Sequence, residues 1–214
     1  MSKKILLIAT AFPPRIGSGA KRLFSIANNL SFLGWDIYVL TLEKGYYDFR
    51  EEDLSFVFPK VQVFRTKAWI PKPENILGKI IMAFSHLILI PDRFLVWLPF
   101  GFKKGLEIIK KEKINIIYSS APSFSVHLLA RKLKRETGIK WVAEFRDPWT
   151  ENIAFKKKFF IKRFIERKME RNVLKESDLI ISVAENIEES LKRALGFKNK
   201  EKFHIITNGF NIHD

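Results

Sequence analysis

A chain of 214 residues, 47% of them hydrophobic, can bury a sizeable core, and its length suits a single domain. With no cysteine it forms neither disulfides nor thiolate metal sites and offers no cysteine nucleophile, so a reducing compartment, the cytoplasm, is the expected home. A formal charge of +15 demands an anionic partner, whether a phosphate-bearing ligand, an acidic membrane face or nucleic acid.

The first twelve residues imitate a secretory signal, but the apolar run is short, ends in Pro13-Pro14 and lacks a small-residue cleavage site. Residues 4–10 instead predict a strand buried on both faces. Residues 20–33 follow as a helix in which Leu23, Ile26, Ala27 and Leu30 recur on one side, and Gly34 stops it. A second strand over 36–42 completes a right-handed β-loop-α-β unit. Further strands are predicted at 61–65, 115–119, 141–145, 179–183 and 203–206, with helices at 103–112, 123–136, 156–175 and 187–195. This alternation predicts an α/β fold, a doubly wound, mostly parallel, Rossmann-like sheet. Residues 46–60 read as a long loop, and residues 69–102, apolar and broken by Pro71, Pro73, Pro91 and Pro99, as an insertion. The uncharged stretch 80–90 is about half of the roughly 20 residues that span a bilayer, so no transmembrane helix is expected.

Two loops follow predicted strands and would face the ligand crevice of such a sheet. In the first, Gly17-Ser18-Gly19 runs into a helix N-terminus, where backbone N–H groups and the helix dipole favour a phosphate; the same glycines would also permit a tight turn. Arg22 stands where a dinucleotide fingerprint needs its third glycine, and Ala20 breaks the phosphate-loop pattern. Lys21 and Arg22 oppose the dipole in the first turn, so they either face something negative or line a solvated helix end. The second loop is Glu144-Phe145-Arg146-Asp147-Pro148-Trp149. Its Asp147, ionised beside a guanidinium and stiffened by proline, can take a hydroxyl proton, hold a sugar hydroxyl or cap a following helix. His86, His127, His204 and His213 have no metal-ligand spacing, and no metal site is expected.

In this order, Phe12-Pro13-Pro14, Gly17-Ser18-Gly19 with Arg22, and Arg146-Asp147-Pro148-Trp149 resemble the amino-terminal, acceptor-binding domain of family 4 retaining glycosyltransferases of the B-type fold. Residues 174–183 are similar to that family's "A-D-x-V-I-x-V-S" stretch, and Ile205-Ile206-Thr207-Asn208-Gly209-Phe210-Asn211 to its "I-P-N-G-V-D" segment. The resemblance implies donor contacts from Gly17, Ser18, Gly19 and Arg22, catalytic or proton-handling roles for Arg146 and Asp147, and acceptor contacts from Glu144 and Trp149. It implies a nucleotide diphosphate sugar as co-substrate and no other cofactor. A second, donor-binding domain would follow the N-G-V-D segment, in the same polypeptide or as a separate chain.

Residues 154–175 interleave phenylalanines with Lys157, Lys158, Arg163 and other cations, and the 69–102 segment adds Trp97. Both suit an anionic bilayer, and both also suit ordinary packing on a sheet. The expected protein is the acceptor-side domain of a glycosyltransferase acting on a lipid-linked or polysaccharide acceptor at the inner face of the membrane, with no nucleic-acid partner. The alternatives are an inactive membrane-binding module of the same fold and another Rossmann-type nucleotide enzyme.

Overall fold

Seven short apolar runs pair as one sheet in which every pairing is parallel. In the computed structural model, which describes residues 3–14, 18–43, 61–69, 88–152 and 159–209, the strands are β1 (Lys4–Ile8), β2 (Asp36–Leu42), β3 (Val61–Thr66), β4 (Ile116–Ala121), β5 (Lys140–Phe145), β6 (Leu179–Ser182) and β7 (Phe203–Ile205). Their order is β3-β2-β1-β4-β5-β6-β7. The chain thus starts in the middle and winds outward twice, as a doubly wound fold requires. Because all strands run one way, the loops after β1, β4, β5 and β6 share one edge.

Side-chain alternation along β1 divides the core. Ile5 and Leu7 join Leu23 and Ala27 of α1 (Ser18–Phe32) on one face. Leu6 and Ile8 belong to the larger cluster on the other face, which also takes in residues of α2 (Leu98–Glu112), α3 (Ser125–Thr137), α4 (Phe160–Glu176) and α5 (Glu185–Leu195). This is the covering of both faces that explains why the central strands are continuous apolar runs rather than alternating ones. Gly34, at φ 84°, closes α1 in the left-handed conformation that a side chain resists.

The predicted insertion is corrected in its second half. Residues 93–97 form a short 3-10 helix leading directly into α2, which begins five residues before its predicted start because Pro99 sits in the first turn, where a missing N–H does no harm. Asp92 caps the 3-10 helix through Phe94 N at 2.9 Å and also binds Ser125 N and Oγ at 3.1 and 2.8 Å, fastening α3 to the same carboxylate. Trp97 is wholly buried, with Nε1 donating to Thr66 Oγ1 at 2.7 Å. It packs in the core and does not face a membrane. The predicted loop at 46–60 and residues 70–87 of the insertion lie outside the described residues. Among the described residues no helix is long and apolar enough to cross a membrane.

Candidate functional site

The turns singled out from sequence meet at the carboxyl edge. An atom placed where a Cβ would sit on Gly19 would stand 2.8 Å from the Arg146 Cζ, with both terminal guanidinium nitrogens nearer still. A side chain at position 19 would force the guanidinium to move from this place. Arg146 Nε donates to Ala121 O at 2.9 Å, so the end of β4 fixes the guanidinium where β5 delivers it. Burial lowers the Arg146 pKa, the charges of Glu144 and Asp147 oppose that shift, and a guanidinium stays protonated regardless. Asp147 is exposed beside it, and no helix begins in the described residues 148–152 for it to cap.

Three expected ligand contacts are corrected. Glu144 is wholly buried: Oε1 accepts from Arg22 Nε at 2.8 Å and lies 2.8 Å from its Nη2 as an ion pair, and Oε2 accepts from Ser120 Oγ at 2.5 Å. Arg22 also donates to Ile206 O and Thr207 O at 2.8 Å and to Asn208 Oδ1 at 3.1 Å. These four hydrogen bonds engage all three nitrogens of the guanidinium. Glu144 and Arg22 therefore bind each other and the chain rather than acceptor and donor. Trp149 is buried too, stacked on Phe124 with ring centroids 4.6 Å apart, and its Nε1 donates to Glu166 Oε2 at 3.3 Å. It shapes the loop from beneath.

Of the remaining expected residues, Ser18 opens α1 and Arg163 lies part-buried on α4. Gly17, Lys157 and Lys158 lie outside the described residues. Among the described residues no group of three or more His, Asp or Glu is placed to hold a metal ion.

The sequence reading passed over several groups that support these turns. Tyr118, on the same face of β4 as Ser120, hydrogen-bonds Glu144; burial first, then that carboxylate, pushes its phenol well above the ordinary value. On α4, Glu166 and Glu170 stand one turn apart and point inward. Glu170 takes the Thr150 hydroxyl, and burial raises its pKa to about 7 although Thr150 pulls the other way. Their spacing on a helix dense with Lys and Arg reads as a solvated face, so nothing in the pattern distinguished them. His127 is buried against Phe145, with ring centroids 4.4 Å apart and Nδ1 2.8 Å from Ser119 Oγ, and burial holds its pKa down at about 3. Such an imidazole is a neutral packing residue in this structure.

Residues 19–214 match the model of Glycosyltransferase Family 4. Among curated proteins none matches the chain. Solved structures of similar fold include a sucrose-phosphate synthase from Thermosynechococcus elongatus, 14% identical with a TM-score of 0.68 over 99% of this chain and 49% of that one. UGT89C1 of Arabidopsis thaliana complexed with UDP is 11% identical with a TM-score of 0.62 over 99% of this chain and 50% of that one. HepE of Anabaena in complex with UDP-glucose is 14% identical with a TM-score of 0.59 over 98% of this chain and 45% of that one. At such identities the likeness is one of fold, and this chain spans about half the length of each.

Proposed function

Because the chain belongs to Glycosyltransferase Family 4, we propose that it is the acceptor-side half of a retaining glycosyltransferase that moves a sugar from a nucleotide diphosphate sugar to a lipid-linked or polysaccharide acceptor. The observation that carries the reading is the packing of Gly19 under Arg146 with Asp147 exposed alongside: a dipole-bearing helix start, a fixed cation and a free carboxylate on one edge. Transfer breaks the bond between the anomeric carbon and the phosphate oxygen and joins that carbon to an acceptor oxygen, whose proton must leave. In this reading the turn at Gly19 and the Arg146 charge favour the leaving diphosphate, and Asp147 orients the acceptor hydroxyl and holds its proton. Complexes of structural neighbours with UDP and UDP-glucose support the donor class. A donor-binding half, in the same polypeptide or a separate one, supplies the rest of the nucleotide site.

Membrane contact belongs to the same proposal. Phe159, Phe160, Ile161 and Phe164 at the start of α4 are 81%, 79%, 69% and 64% exposed, beside the cations Arg167 and Lys168. Exposed aromatics bordered by cations suit the interface of an anionic bilayer, on the cytoplasmic side where nucleotide sugars are made.

The test is transfer by the natural gene product containing these residues, with a panel of nucleotide sugars and a lipid-linked acceptor. Asp147→Asn should lower turnover about 100-fold or more while donor affinity stays within about twofold. Unchanged turnover removes Asp147 from the mechanism. Phe160→Glu should abolish sedimentation with phosphatidylglycerol vesicles, and its failure to do so removes the membrane from the reading.

A further inference from the structure

Residues 206–208 leave the end of β7 in an extended, exposed stretch outside any strand. Ile206 N donates to Ser182 O at 2.9 Å, and the Arg22 guanidinium then takes Ile206 O, Thr207 O and Asn208 Oδ1. Arg22 is itself held by Glu144, 122 residues away in sequence. Glu144 has no freedom to move: β5 carries it between β4 and β6, where Ser120 and Tyr118 occupy its remaining acceptor capacity. A buried carboxylate anchored in the sheet thus aims a planar cation at the backbone of a segment that has no sheet of its own.

We infer that Arg22 and Glu144 are a positioning pair that sets the path of residues 206–208 and locks it to α1 one turn beyond Gly19. The consequence for catalysis rests on the glycosyltransferase reading. If a donor-binding half follows this segment, its placement over Gly19 and Arg146 is governed by one guanidinium that touches neither substrate. Arginine is required because a lysine can satisfy the charge of Glu144 but cannot present a fork that reaches the carboxylate and three further acceptors together.

The distinguishing variant is therefore Arg22→Lys. It keeps a cation beside Glu144 and removes the fork. Backbone hydrogen exchange of the 214-residue protein should show the Ile206 amide, whose N–H donates to Ser182 O, exchanging about tenfold faster, with the amides of β1, β4 and β5 at their wild-type rates. Asn208→Ala, which leaves the buried pair intact, should give a smaller change confined to the same amide. The double substitution Arg22→Met with Glu144→Leu leaves no buried charge behind and should reproduce the local loss. Wild-type exchange at the Ile206 amide in Arg22→Lys overturns the inference. So does acceleration spread evenly over the sheet, or loss of folding in both Arg22→Lys and the double variant, because the pair would then be a core contact with no special hold on the segment. Since exchange needs neither donor nor acceptor, absence of sugar transfer would defeat the proposed function and leave this measurement standing.

Discussion

The two edges of the parallel sheet handle charge in opposite ways. At the amino edge Asp178 sits just before β6, accepting from Trp141 N at 2.8 Å, Lys134 Nζ at 2.5 Å and Lys140 Nζ at 3.2 Å. Neighbouring Glu176 binds Arg131 and Arg135. These carboxylates are partly exposed, and cations outnumber them. At the carboxyl edge the carboxylate is wholly buried, its cation is bonded to backbone, and Asp147 stands exposed nearby. The first edge is a tolerant staple built from many weak pairs. The second is a rigid arrangement in which each group depends on a particular partner, as a site needs when geometry rather than net charge decides the outcome.

Removing one member of an ion pair at each edge should expose that contrast most sharply. Arg22→Met strands Glu144 as an uncompensated buried charge and is expected to cost about 3–5 kcal/mol in urea unfolding, whereas Asp178→Asn should cost about 1 kcal/mol because its cations turn to water. Equal losses would erase the distinction between the edges.

Next in size is Gly19→Ala. The new methyl occupies the space of the Arg146 guanidinium, which must swing away from Ala121 O. About 1–2 kcal/mol of stability is expected to go, together with about a tenfold or greater loss of transfer in the natural enzyme. Alanine at Gly34, far from the site, should disturb stability through its positive φ and leave transfer untouched.

The carboxyl edge also carries the pH dependence. Glu170 has a folded pKa near 7 against an ordinary 4.5, so between those values the folded protein holds a proton that the unfolded chain has released. Stability from this group is present below pH 4.5 and declines as pH rises through 7. His127, held neutral down to about 3, contributes the opposite slope between 6.5 and 3, so the test is the difference between wild type and Glu170→Gln, in which the histidine cancels. That difference should grow with pH, with the variant more stable by about 1–2 kcal/mol above pH 7. A flat difference would mean that Glu170 titrates normally behind the Trp149-Thr150 loop.

The sheet was legible because two-sided burial leaves continuous apolar runs such as Ile5 to Ile8, and all seven strands lie within a few residues of their predicted bounds. The opposition of Lys21 and Arg22 to the helix dipole did announce a negative neighbour for Arg22. That neighbour is an internal glutamate rather than a phosphate, and no local pattern reveals a pairing across 122 residues. Trp97 was not decidable from sequence for a related reason: prolines and aromatics in one stretch suit a surface insertion and a core alike until the sheet is present to receive them. The inward glutamates of α4 were hidden by the cations around them. Asp178 lay inside a family-like motif, but only the fold shows that it closes the amino edge by capping Trp141 N.

The smallest expected effect belongs to that amino edge and tests whether its pairs are as replaceable as the comparison implies. Burial resists ionisation of Glu176, but hydrogen bonds from Arg131 and Arg135 outweigh it and hold the carboxyl at about 2. With a folded pKa below the ordinary 4.5, its contribution is present above that value and fades as pH falls toward 2. Arg135 is 61% exposed on its side chain, so solvent screens most of the attraction. Arg135→Ala should therefore leave unfolding nearly unchanged, and added salt should remove what difference there is, while the Glu176 pKa rises partway as measured by NMR titration. Arg131 would remain to hold the carboxylate, the redundancy that Glu144 lacks. A loss as large as that of Arg22→Met would show instead that both edges are rigid.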